Sequence, residues 1–319
     1  MQVPPAAMSE QQYLLLAQWL AGGKPATTPA VVAINGAQGS GKSTLALRLR
    51  ELLAAQHGRR AVVLSIDDIY LPRLERERLA QDIHPLLRTR GVPGTHDLEL
   101  GLRLLGRLGD LGTTTHPAPR HSAEAVRMPK FIKAADDRAA ESEWAVEQGP
   151  VDLILFEGWC VGTPAQDEAE LRLPVNELEA REDADGTWRR YVNEQLAMVY
   201  PWLFSHIDRT IFLQAPDFDS IYRWRLEQEG KNALESAFAT KVDKVGELTP
   251  PLGPLPSHRD SLRSQGEGKT SGLMGPEELR RFIQHYKRLT RHALKVMPER
   301  ADVVMRLGPG HEVLATHFR

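Results

Sequence analysis

The sequence predicts an α/β protein in three layers, a mostly parallel central sheet covered by helices on both faces. Three observations lead there. The apolar run VVAIN at 31–35 passes through a glycine-rich turn into the helix-forming run LALRLRELLAA. A second apolar run, AVVLS at 61–65, follows after a charged turn, so strand, helix and strand make a crossover unit. VDLILF at 151–156 is almost wholly apolar, which suits a centre strand buried on both sides.

The turn after the first run carries the sharpest chemical signal. Gly36, Gly41, Lys42 and Ser43 complete the pattern G-x-x-x-x-G-K-[ST] of a phosphate loop, in the strand–loop–helix setting the pattern requires. Glycines let backbone N–H groups face phosphate oxygens without a Cβ in the way, and the following helix adds free N–H groups and its positive end. The expected fold is therefore the three-layer α/β/α P-loop NTPase fold. The expected nucleotide-binding residues are Gly36, Ala37, Gln38, Gly39, Ser40, Gly41, Lys42, Ser43 and Thr44, with Lys42 on the β- and γ-phosphates and Ser43 on Mg²⁺. The pattern specifies a triphosphate and leaves adenine against guanine open.

Composition narrows the remaining classes. The chain has 319 residues, 41% hydrophobic and 26% charged, enough to bury a core as one large domain or two small ones, and a single domain over 1–319 is expected. A formal net charge of −2 argues against a nucleic-acid partner. Cys160 is the lone cysteine, so no intrachain disulfide forms, and the start MQVPPAAMSEQQ lacks a secretory pattern. A cytoplasmic protein is expected. No apolar run nears the roughly 18 residues that span a bilayer, so no membrane partner is expected either.

In chain order, residues 1–29 form a helical extension, in which Ser9 caps a helix with an apolar face through Leu14, Leu15, Leu16, Trp19 and Leu20. AVVLS runs into Asp67, Asp68 and Tyr70. Ligands collect at the carboxyl ends of parallel strands, so these carboxylates belong at the end of the strand beside the phosphate loop. A kinase needs a carboxylate near the acceptor hydroxyl; the plainer reading is that both aspartates cap the next helix. Tyr70 either lines the acceptor pocket or packs. The helical stretch to Leu111 is broken by RTRGVPGTHD, where Asp97 caps a helix and His96 reaches the acceptor or is a structural loop histidine.

Residues 112–145 read as an irregular, Pro-rich and basic acceptor-site excursion ending in a short helix. Its Arg120, Lys130, Lys133 and Arg138 offer an anion-binding lip, with Arg138 pre-paired by Asp136 and Asp137. Glu157, at the end of the centre strand, suits a second anchor for Mg²⁺. The acidic stretch 167–185 reads as a surface loop with a short helix, and TWRRYVNEQLAMVYPWLFSHI as helical to Pro201, with Trp188, Tyr191, Tyr200 and Trp202 as packing groups.

RTIFLQAP reads as a strand leading to a lid over 217–275. Asp217 or Asp219 caps a lid helix carrying Arg223 and Arg225, which lie two apart and point to different sides. One closes over the phosphates and the other pairs internally. A Pro-, Gly- and Ser-rich insertion at about 245–273 reads as mobile. PEELRRFIQHYKRLTRHALKVM is a helix with Pro276 in its first turn and an apolar face through Leu279, Phe282, Ile283, Tyr286 and Leu289. ADVVMRLG and HEVLATHF close the chain as strands.

With these residues in view, the chain resembles the D-glycerate 3-kinases of plants, fungi and bacteria, within the P-loop kinases that include uridine kinase, phosphoribulokinase and pantothenate kinase. The matching pieces are INGAQGSGKSTLA, SIDDIYL, HPLLRTRGVPGTHDLELG, MPKFIKAADDRAAESEW, VDLILFEGW, YRWRLEQE and GKTSGLMGPEELRRFIQHYKRLTRHAL, between Val31 and Met297. The phosphate loop and FEG mark the wider group; RGVPGTHDL and DDRAAESEW narrow it. The resemblance implies ATP- and Mg²⁺-dependent phosphorylation of D-glycerate, a small-molecule acceptor, to 3-phosphoglycerate. It implies Asp67 as catalytic base with Asp68 less critical, and Lys42, Arg223 and Arg225 at the transferring group. Ser43 and Glu157 hold the metal, and Asp67, Tyr70, His96, Lys130, Arg138 and Glu157 line the acceptor site. Arg138 with Lys130 or Lys133 is the implied carboxylate clamp. Relatives commonly read P-x-F-D-K where this chain has Ile132. Two alternatives stand beside this reading, a kinase for another hydroxylated metabolite such as a nucleoside or pantothenate-like acceptor, and a nucleotide-dependent switch or assembly ATPase.

Overall fold

The computed structural model describes residues 8–22, 29–111, 125–228, 230 and 275–319. The expectations for the rest, namely Arg120, most of the lid with its insertion, and residues 1–7 and 23–28 of the N-terminal extension, lie outside the described residues. Numbered along the chain, β1 (Ala30–Gly36), β2 (Ala61–Ser65), β7 (Leu153–Gly158), β8 (Arg209–Gln214), β9 (Val303–Leu307) and β10 (Val313–Phe318) form one sheet in the order β10-β9-β8-β1-β7-β2. All pairs are parallel except the hairpin of β10 on β9.

The strand order corrects one expectation. β2 does not stand beside the phosphate-loop strand, because β7 lies between them. The crossover through α2 (Lys42–His57) leaves a one-strand gap that β7, buried at every position, fills. Its consequence is a register: Glu157 on β7 pairs with Ile34 on one side and Ser65 on the other. Gly36 and Asp67 each follow two residues beyond, so loop, glutamate and aspartate stand side by side at one edge of the sheet.

Strand alternation builds the layers. Val32, Ile34, Leu153, Leu155, Ile211 and Leu213 face Leu16 and Leu20 of α1 (Glu10–Ala21) and Leu45, Leu49 and Leu53 of α2. Val31, Ala33, Val62, Leu64, Ile154 and Phe156 face the other way. They meet Leu100, Leu104 and Leu108 of α4 (Leu98–Asp110), Leu203 of α7 (Tyr200–Phe204), and Tyr286 and Leu289 of α9 (Pro276–Arg300). Each such buried aliphatic side chain contributes about 1.5–3 kcal/mol. α1 opens as expected, with Ser9 and Gln12 closing a capping box, and α9 runs on through Pro298 to Arg300. No helix of the described residues is long and apolar enough to cross a membrane.

Elsewhere the structure departs from the sequence reading. The described part of the excursion is ordered into two small antiparallel pairs, β3 (Val126–Met128) with β6 (Ala145–Glu147) and β4 (Phe131–Ile132) with β5 (Asp137–Arg138). The acidic stretch is not simply surface, since Glu179 and Asp183 are fully buried. Arg288 meets the first carboxylate at 2.6 Å and Arg189 the second at 2.9 Å, so the cost of burying each charge is offset by a bidentate-capable partner. Trp188 and Tyr200 pack inside, but Trp202 is 70% exposed on α7 and is not a packing group.

Candidate active site

Gly39 has φ +77°, and a Cβ there would come within 2.8 Å of Trp224 Cβ on α8, the helix over 218–228. Glycine therefore satisfies both the turn and the close approach of α8 to the loop. Lys42 donates to the Ala37 carbonyl at 3.1 Å. Burial pulls its ammonium below the ordinary lysine range, against the opposing charges of Glu157 and Asp67. Ser43 donates to Glu157 Oε1 at 2.8 Å, which joins α2 to β7 across the loop.

These residues fit a nucleoside triphosphate with Mg²⁺. Hard oxygen donors, one hydroxyl and one carboxylate, stand together at the loop. Ser40 Oγ and Gln38 Oε1 are buried in the same turn without a hydrogen-bond partner, as polar atoms awaiting a ligand would be. Thr44 follows, exposed, in the first turn of α2.

Asp67 stands on a single 3₁₀ turn after β2, started by Ser65, whose hydroxyl caps the Asp67 N–H. Its Oδ2 accepts from Lys133 at 2.8 Å and its Oδ1 from the Tyr70 hydroxyl at 2.8 Å. Burial alone would raise this carboxyl. The Lys133 charge, the two hydrogen bonds and Lys42 overcome that and hold it well below the usual carboxylate range. Asp68 behaves oppositely. Its Oδ1 accepts from the Phe131 N–H at 3.1 Å, fastening β4 to this turn, and burial with the neighbouring Asp67 charge pushes it up to about 6.

The remaining acceptor-site candidates fall into two groups. Tyr70 is buried and packs, and its hydroxyl also donates to Asp67. His96 lies behind it, stacked on the Tyr70 ring at 4.7 Å with Nδ1 2.6 Å from the Tyr200 hydroxyl, and burial pulls its pKa to about 3. It is a neutral wall group. Arg138 is paired, but by Asp97 at 3.1 Å and the Tyr70 carbonyl at 2.7 Å, not by Asp136 or Asp137. Asp136 is taken by Arg76 and Arg90, whose guanidinium groups also lie 5.8 and 5.5 Å from the Phe131 ring centre. Lys130 is exposed on the rim.

The two lid arginines separate as helical spacing requires. Arg223 is exposed and donates to Ser220 Oγ at 2.9 Å. Arg225 lies 6.0 Å over the Phe282 ring, and its charge acts on Lys133 and Tyr286. The sequence reading places Lys133 in the anion-binding lip and the clamp without pairing it to Asp67, and does not single out Arg90, which sits on Asp136. Lys133 is one of several excursion cations with nothing local to single it out. Arg90 could have been found only from its place in RTRG beside PGTHD.

A parallel sheet with a phosphate loop at its edge, a carboxylate on the neighbouring strand and another one strand further on defines a P-loop kinase. No family model matches the chain. It is 33% identical over 213 residues to the uncharacterized kinase mug58 of Schizosaccharomyces pombe, covering 65% of this chain and 72% of that one. It is 30% identical over 209 residues to the chloroplastic D-glycerate 3-kinase of Arabidopsis thaliana, covering 63% of this chain and 41% of that protein. The D-glycerate 3-kinase from Cryptococcus neoformans superposes with a TM-score of 0.66 at 22% identity, covering 97% of this chain and 96% of the other, a likeness of fold. The chain belongs to the family of P-loop kinases that includes mug58 and the plant D-glycerate 3-kinase, and it is a nucleotide-binding phosphotransferase.

Proposed function

We propose that the acceptor is D-glycerate and that the chain transfers the γ-phosphoryl group of ATP to its 3-hydroxyl, giving 3-phosphoglycerate and ADP. The observation that carries this reading is the ionised Asp67, held between Lys133 and Tyr70 one strand beyond Glu157. The family's named glycerate kinases supply the acceptor class.

In this reading the backbone amides of Gly36 to Lys42 hold the phosphates, and Lys42 follows the charge on the transferring group. Ser43 and Glu157 hold Mg²⁺, which when bound supplies positive charge to the phosphate oxygens. The 3-hydroxyl oxygen bonds to the γ-phosphorus as the bond to the β–γ bridging oxygen breaks, and the hydroxyl proton passes to Asp67. A carboxylate held so acidic is a weak base. It orients the hydroxyl first and takes the proton late, which a loose transition state allows. Lys133 then turns from Asp67 toward the glycerate carboxylate, with Arg225 adding charge from the lid. Arg138 is a positioning residue that holds Tyr70 through its carbonyl. Ile132 is exposed on β4 beside Lys133, so its departure from the common Asp alters the rim and leaves the base alone.

An acceptor panel in a coupled ADP-release assay, run with ATP and GTP side by side, tests this. D-glycerate is expected to support turnover with ATP while uridine and pantothenate do not. Indifference to glycerate, with turnover of another acceptor, would replace it.

A further inference from the structure

On α4, Leu100, Arg103, Leu104 and Arg107 recur at helical spacing and wall one side of a cavity of about 220 Å³. Arg127 of β3, Arg138 of β5, Glu141 and Trp144 wall the other. Of the expected active-site residues, Arg138 alone lines it, so this cavity is distinct from the phosphate loop and from Asp67.

Four arginines and Glu141 line the cavity, and two of the arginines are paired with carboxylates behind it. Arg103 meets Glu99 at 2.5 Å and Arg138 meets Asp97 at 3.1 Å. Arg107 donates to the Ala125 carbonyl at 3.1 Å, and Arg127 reaches the Glu141 carbonyl at a long 3.4 Å. The planar fork of arginine suits phosphate oxygens better than any neutral group. Leu100, Leu104 and Trp144 add an apolar wall.

We propose that this cavity is a second anion site that takes a small phosphate-bearing metabolite. The phosphate lies among Arg103, Arg127 and Arg138, and the short carbon skeleton lies against Leu100, Leu104 and Trp144. It goes beyond the glycerate reading and does not require it. The site touches the transfer centre through one residue, since Arg138 also holds the carbonyl of Tyr70, whose hydroxyl holds Asp67.

The test is calorimetric titration of the full chain with phosphoenolpyruvate. The protein is kept saturated with Mg²⁺, a non-hydrolysable ATP analogue and excess D-glycerate, so that the loop and acceptor pocket are filled. One-to-one binding is expected, weakened at least about tenfold in Arg127→Ala and in Arg103→Ala, with glycerate turnover unchanged in both. Both side chains are exposed, so neither variant threatens the fold. No heat with the wild type, or equal binding by wild type and both variants, overturns the proposal. The binding heat is read directly, so a chain that ignored glycerate would still show whether this cavity takes the anion.

Discussion

Lys133 Nζ donates to Asp67 Oδ2 at 2.8 Å, so a cation from the excursion is seated on the carboxylate that the sheet sets opposite the phosphate loop. The pair is half open to solvent, with side-chain exposures of 58% and 32%, and is better suited to exchange partners than to stabilise the fold.

Removing that cation changes Asp67. With Lys133 gone, the burial that raises the Asp67 carboxyl is less opposed, and its pKa rises. In the proposed mechanism Asp67 works ionised, so activity is expected to be lost as pH falls through that pKa. The acid limb of kcat/KM against pH therefore moves to higher pH in Lys133→Met, and a profile superimposable on the wild type would contradict the pairing.

The Ser43–Glu157 bond predicts a metal phenotype. Glu157→Gln keeps the shape of the side chain and loses the charge, so the Mg²⁺ concentration for half-maximal turnover is expected to rise about tenfold or more. Chelation should abolish turnover in both proteins. An unchanged Mg²⁺ requirement in the variant would take Glu157 out of the metal's surroundings.

The lid arginines should not be equivalent. Arg225 acts on Lys133 and Tyr286, whereas Arg223 is spent on Ser220. Arg225→Ala is expected to lower kcat by about 10²-fold, in the range seen when one transition-state partner is removed, and Arg223→Ala by only a few-fold. Steady-state kinetics on the two variants decides it, and the reverse order would point the other side chain inward.

Asp68 gives a stability prediction with a definite sign. Its folded-state pKa of about 6 lies above the ordinary 3.8, so the fold favours the protonated form. That contribution is full below pH 4 and is lost as pH rises through 6. Asp68→Asn, which keeps an acceptor for the Phe131 N–H, should therefore raise Tm by a few degrees at pH 7.5, about 1–2 kcal/mol, and change it little at pH 4. Thermal melts at both values check this.

What could be read beforehand follows physical lines. The layers were legible because strands buried on both faces must be apolar, and the phosphate loop because its spacing serves a specific backbone geometry. Ser43 and Glu157 came together for the same reason, each fixed at the end of a regular element. The place of β7 between β1 and β2 was not legible, since strand order is set by packing between distant segments. Nor were the pairs β3–β6 and β4–β5, whose strands of three and two residues carry no periodicity. Asp97–Arg138, Glu179–Arg288 and Lys133–Asp67 join residues far apart in sequence, and local charge patterns misled where they suggested Asp136 and Asp137 for Arg138.

The most direct test of the central claim is turnover of D-glycerate by wild type and Asp67→Asn, followed as ADP and 3-phosphoglycerate, with ATP-analogue affinity titrated alongside. The wild type should form the two products one to one, and the variant should lose at least about 10²-fold in turnover while binding nucleotide nearly as well. Near-normal turnover in Asp67→Asn, or no 3-phosphoglycerate from the wild type, would contradict it.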